Sequence, residues 1–292
     1  MYRLIDTFDD FMRYWQGACD KTVEEKVELW ATSYMQKYPE LLQRQVRDYE
    51  ESGYDWREIA RNKVFPRLEA YLPLIKEARE NLVHVCGPVY EQAVQALRVD
   101  FPVTFVIYVG IGCGAGLATQ YGGSPACLLG LEKIAELGWH TPGKLRELVS
   151  HEIAHLVHMH WRDEFQEFEE HEKDPLFLLY SEGFAKRCEN LILAGESWSQ
   201  ADRDDWLPWC EAHKGLLAEE YLHRVDHGKP TNDFFGDWLH VQGRSQTGYY
   251  LGWTLLLWLE ENYDMREIAA LSSGRVREDA RRYLRRLADG FA

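Results

Sequence analysis

An α+β fold that is mainly helical and carries one small mixed β-sheet is what the 292-residue sequence predicts. Three observations lead there. Apolar residues at helical spacing dominate both halves of the chain. One β-branched and aromatic run, Val103 to Val109, is bounded by Pro102 and Gly110 and reads as a strand. Two shorter strand candidates follow before helical spacing resumes at Pro142. Hydrophobic residues make up 46% of the chain, enough to bury a substantial core.

Taken in order, residues 1–98 show apolar stripes through Tyr14, Trp15, Val27, Leu29, Trp30, Tyr34, Leu41 and Leu42, and are expected to be helical. Asp55 and Glu58 read as a capping box for a helix through Ile59 and Phe65, broken or bent near Pro66 and Pro73. A further helix is expected through Tyr90, Val94 and Leu97. After the strand come Gly110, Gly112, Gly114 and Gly116, but Ala115 and Leu117 leave G-x-G-x-x-G incomplete in either register, so a turn is expected rather than a nucleotide loop. Leu117 to Tyr121 and Ala126 to Leu131, joined around Gly122 and Gly123, read as a hairpin or adjacent strands.

Thr141 and Pro142 supply an N-cap and a first-turn proline for the next helix. An acidic run from Asp163 to Asp174 reads as a solvated face or, alternatively, as the rim of a cleft. Helices are then expected at 176–193, 206–225 and 247–263. A basic C-terminal helix follows, bearing Arg275, Arg277, Arg281, Arg282, Arg285 and Arg286. It reads as a face complementing the acidic body or as a contact for an acidic partner.

The formal net charge of -15 argues against a phosphate backbone as partner, and no nucleic acid is expected. The N-terminal stretch is acidic, no apolar run is long enough to span a bilayer, and the six cysteines are scattered without C-x-x-C spacing. A cytoplasmic protein with reduced thiols and no membrane partner is the expectation.

Function is written most densely at His151-Glu152-Ile153-Ala154-His155, an H-E-x-x-H inside an apolar helical pattern. Residues four apart lie one turn apart on one helix face, about 6 Å along the axis, so both imidazoles can converge on one metal ion. Glu152 then stands beside them to accept a proton from water activated by that ion, expected to be Zn2+. A chain of this His and Glu content meets the pattern by chance about once in twenty-five, so a third ligand is needed to support it. His158 lies on the same stripe but about 10 Å along the axis from His151, too far to share an ion with it. Glu182, with 26 residues between it and His155 and so room for a loop and a return helix, is the better candidate.

Glu182-Gly183-Phe184-Ala185 matches the E-G-x-A sequence in which the gluzincin metallopeptidases often place their third ligand, and here the chain resembles that group. Gly183 and Ala185 are expected to be small so that this helix packs closely on the zinc helix. Gly248-Tyr249-Tyr250-Leu251-Gly252 downstream extends the likeness to the DUF2268 family of predicted zinc-dependent proteases. The resemblance implies a thermolysin-like (gluzincin) catalytic core. A helical N-terminal region, 1–98, would pack over the cleft of a catalytic domain, 99–292, with a small sheet at 102–135 and the zinc helix at 142–160. It implies Tyr249 as donor to the oxyanion, and an edge strand within 122–131 on which an extended peptide lies. Otherwise Gly248 and Gly252 serve only helix packing and Tyr249 is an interior aromatic.

The chain departs from the pattern in one place. Where many gluzincins carry an acidic residue four positions after the ligand glutamate, Lys186 stands, so support for the metal-bound histidines is expected from Glu189 or Asp237. Arg244, just upstream of Tyr249, is of a type to grip a substrate carboxylate, as would suit a carboxypeptidase, but sequence proximity alone does not place it in the site. The expected activity is zinc-dependent hydrolysis of a peptide or protein substrate, with Glu152 and Tyr249 catalytic and His151, His155 and Glu182 on the metal. The alternative is a zinc-binding regulatory protein without turnover, against which Glu152 argues, because a structural metal needs no general base.

Overall fold

The computed structural model describes residues 1–195, 205–236 and 240–290. In chain order its regular elements begin β1 (Tyr2–Asp6), α1 (Phe8–Ala18), α2 (Val23–Leu29), α3 (Pro39–Glu51), α4 (Trp56–Ile59) and α5 (Phe65–Leu97). Three strands follow, β2 (Val103–Tyr108), β3 (Gly116–Tyr121) and β4 (Ser124–Gly130), and then α6 (Leu131–Leu137) and α7 (Pro142–Arg162). The remainder is helical: α8 (Phe168–His171), α9 (Pro175–Leu193), α10 (Trp206–Asp226), α11 (Thr247–Glu260), α12 (Met265–Ala269) and α13 (Ser273–Ala288). A mainly helical α+β fold with a four-stranded mixed sheet is thus observed. Among the described residues no helix is long and apolar enough to cross a membrane. All six cysteines are free thiols.

The chain forms two compact units, Met1–Glu152 and Ile153–Ala292, and the division falls inside the continuous helix α7. In the first unit the strand order is β1-β2-β4-β3. β2 is buried along its whole length and runs parallel to both neighbours, which is why its six residues are uniformly apolar apart from Thr104. The expected hairpin is present: β3 and β4 are antiparallel, with Thr119 opposite Ala126, and Gly122 and Gly123 turn the chain with φ of 59° and 73°. A two-residue turn of this hand needs positive φ at both positions, so glycine is required twice.

Three expectations need correction here. The N-terminal region is not purely helical, because β1 pairs parallel with β2, Tyr2 opposite Val103, and so residues 2–6 belong to the sheet. The edge strand does not lie within 122–131: β4 is paired on both sides, and the edge beside it is β3. The helices expected to break near Pro73 and to restart near Tyr90 are one 33-residue helix, α5, which contains Pro73 and Pro88. An internal proline removes one helical hydrogen bond, and the buried stripe of Ile75, Ala78, Leu82, Val85, Val89 and Ala93 holds the helix together across both.

The glycine-rich loop after β2 is pinned from inside. Gly110 and Gly112 donate their N–H groups to the buried carboxylate of Glu132 at 2.6 and 3.0 Å, and Ile111 donates to Gln45 at 3.2 Å. Burial pushes the Glu132 carboxyl up and the two amides pull it back down. Amides that would cradle a phosphate in a nucleotide loop are already used, in agreement with the incomplete motif.

In the second unit α9 crosses α11 where Gly183 meets Gly252. A Cβ on either glycine would overlap the other's backbone. Gly183 is therefore small to admit α11, a correction to the expectation that it admits the zinc helix. α13 packs on α9 and α10, with two of its arginines paired to acids of other segments and two paired within the helix. Arg277 pairs with Asp174, Arg281 with Asp226, and Arg275 and Arg282 with the buried Asp279.

Candidate metal centre

Helix α7 starts at Pro142, and the Leu145 N–H closes its first turn onto the Thr141 carbonyl at 3.0 Å. His151, Glu152 and His155 are each less than 9% exposed. α9 begins where Asp174 accepts the Leu176 N–H at 2.8 Å, with Pro175 in the first turn, and this start sets which α9 residues face α7. The register delivers Glu182: one donor atom from each of His151, His155 and Glu182 falls within 4.8 Å of the others. His155 Nε2 lies 3.5 Å from Glu182 Oε2. Two donors bound to one tetrahedral ion at about 2.0 Å each are roughly 3.3 Å apart, so this pair already stands near coordinating distance. Two imidazoles and a carboxylate are the donor set of one class of catalytic zinc site, and the three residues fit the group.

Glu152 projects to the start of the edge strand. A Cβ on Gly116 would overlap the Glu152 carboxylate, so the first residue of β3 must be glycine for that side chain to lie where it does. The sequence showed Gly116 only as one of four closely spaced glycines.

His158 has a different environment. It is fully buried, stacked on Phe184 with ring centroids 4.1 Å apart, edge-on to Phe168 and Tyr180, and 3.1 Å from the Tyr180 hydroxyl through Nε2. Burial, reinforced by Arg162 and His155, holds its pKa well below 6.5. It is a neutral core histidine.

Tyr249 occupies the first turn of α11, half-buried, with its ring edge-on to Phe235 at 5.5 Å. It is not part of the donor cluster. Both glycines around it have packing reasons, Gly252 against Gly183 and Gly248 against the Phe235 ring. The Gly252 crossing brings α11 to the residue next to Glu182. Arg244 forms a two-point ion pair with Asp205, at 2.7 and 3.1 Å, so it already holds a carboxylate of the chain itself.

Of the two expected supporting acids, Glu189 takes the Lys186 ammonium at 2.8 Å in a buried pair one turn beyond Glu182. Asp237 lies outside the described residues. The acid that sequence reasoning missed is Glu172. It accepts the Ser181 hydroxyl, next to Glu182. Burial pushes its carboxyl up to about 7, with His155 pulling it down and Glu182 pushing it further up. Nothing in the sequence separates Glu172 from the other acids between 163 and 174.

Compared with known proteins, the chain matches no family model, no curated protein and no solved structure.

Proposed function

We propose that the protein is a zinc-dependent peptidase of gluzincin type on a thermolysin-like core, akin to the DUF2268 proteases. The observation that carries this reading is the convergence of His151, His155 and Glu182, from two helices, with Glu152 beside them. A mixed sheet whose edge strand is antiparallel to its neighbour and begins against Glu152 supports it as well, since such an edge is where an extended peptide adds by main-chain hydrogen bonds.

His151, His155 and Glu182 would hold the ion. When bound, it supplies Lewis acidity that lowers the pKa of water to about 7 and polarises a carbonyl. Glu152 accepts the water's proton as the oxygen attacks the peptide carbon, holds it on its carboxyl group, and returns it to the nitrogen of the departing amine. Tyr249 donates its phenolic hydrogen to the oxyanion. Exclusion of bulk water follows from the burial of Glu152 and both histidines and strengthens each of these interactions.

Metal analysis combined with a peptide-library digest tests the proposal. One zinc per chain, cleavage of library peptides, and loss of at least about three orders of magnitude in turnover on Glu152→Gln with zinc retained are expected. Zinc bound with no peptide cleaved would instead support a non-hydrolytic zinc-binding protein. Unchanged cleavage by Glu152→Gln would refute the mechanism.

A further inference from the structure

Three acids of the 163–174 run have local tasks. Asp174 caps α9, Glu164 pairs with Arg162 at 2.7 Å, and Glu170 pairs with Lys173. Glu172 instead receives the Ser181 hydroxyl, and the charges that act on it most are His155 and Glu182. It is not within the cluster of candidate ligands.

Charge gives that position a use. Two neutral imidazoles and one carboxylate leave a bound dication with a net charge of plus one in a largely buried site. The Glu152 carboxylate beside the ligands brings the sum to zero, and Glu172 makes the surroundings of the cation net negative, which favours its retention. Lys186, one turn beyond Glu182, does not offset this, because Glu189 neutralises it within α9. We propose that Glu172 is the positioning carboxylate of the metal centre: through Ser181 it fixes the α9 turn that carries Glu182, and its charge favours retention of the dication. The inference rests on the reading of His151, His155 and Glu182 as metal ligands.

Zinc affinity measured by competition with a chromophoric chelator tests it, on the full chain as wild type, Glu172→Gln, Glu172→Asp and Ser181→Ala. Glu172→Gln is expected to weaken zinc 10- to 100-fold, the scale on which residues that support metal ligands act. Ser181→Ala is expected to weaken it less, and Glu172→Asp to recover part of the loss. Cobalt(II) substituted for zinc should show a shifted visible absorption band in Glu172→Gln, since the ligand field senses the displaced donors. Metal-free Glu172→Gln should melt no lower than metal-free wild type, because the change removes repulsion between two carboxylates. Zinc affinity and cobalt spectrum unchanged in Glu172→Gln would overturn the proposal while leaving the metal centre standing. Weakened zinc accompanied by a lower metal-free melting temperature would overturn it in favour of a purely structural role. Wild-type protein that binds no stoichiometric zinc would overturn both readings.

Discussion

His155 and His158 stand three residues apart on one helix, both buried, and have opposite fates. His155 Nε2 faces a carboxylate at 3.5 Å, whereas His158 Nε2 faces a tyrosine hydroxyl at 3.1 Å inside a box of aromatic rings. The helix gives each imidazole a direction, and α9 decides what it meets there: Glu182 in one case, Tyr180 and Phe184 one half-turn to either side in the other. Three or four residues of spacing thus make a histidine a candidate ligand only where the facing helix presents a charge.

The largest expected effect comes from the first member of that pair. His155→Ala should abolish stoichiometric zinc and lower peptide hydrolysis by at least about three orders of magnitude, because two donors alone hold zinc weakly. Zinc retained at one per chain would break the comparison at its first term. His158→Ala should instead leave zinc binding intact and cost about 3 kcal/mol of stability, the scale of emptying a buried aromatic position. Denaturant unfolding of the metal-free proteins checks it, and loss of zinc with stability unchanged would reverse the roles.

Gly116→Ala sharpens the contrast between holding the metal and using it. The added methyl would displace the Glu152 carboxylate from the start of β3, so kcat should fall 10- to 100-fold while zinc content stays at one per chain, measured by steady-state kinetics and metal analysis. The smallest effect concerns pH. A histidine kept neutral by burial binds its proton more readily in the unfolded chain, so its contribution to stability is complete above about 6.5 and declines as pH falls below that value. His158→Phe should therefore lose less stability than wild type between pH 7 and pH 5.5, by up to about 1.4 kcal/mol per pH unit. Equal losses would mean that His158 is not the neutral group described.

Local chemistry made much of this legible in the sequence. Pro142 after Thr141 and Pro175 after Asp174 marked where α7 and α9 begin, and Gly122-Gly123 marked the hairpin. Those signals act over a few residues. β1 was missed because its partner Val103 is about a hundred residues away and its five residues lack a clean alternation of buried and exposed positions. Strand order was missed for the same reason: which side of β4 is covered depends on β2 pairing at long range, not on β4 itself. α5 survives two prolines because its buried stripe outweighs two lost hydrogen bonds. Glu182 was found through its E-G-x-A setting, yet the reason for Gly183, the α11 crossing, is tertiary. Glu172 looked like its acidic neighbours because only the fold turns it inward.

The central claim, one zinc on His151, His155 and Glu182, is tested most directly by crystals of the zinc-loaded protein measured above and below the zinc absorption edge. A single anomalous peak within about 2.2 Å of one nitrogen of His151, one nitrogen of His155 and a Glu182 carboxylate oxygen is the predicted result. A peak ligated by His158, or no peak at the α7–α9 cluster in protein that carries zinc, would contradict it.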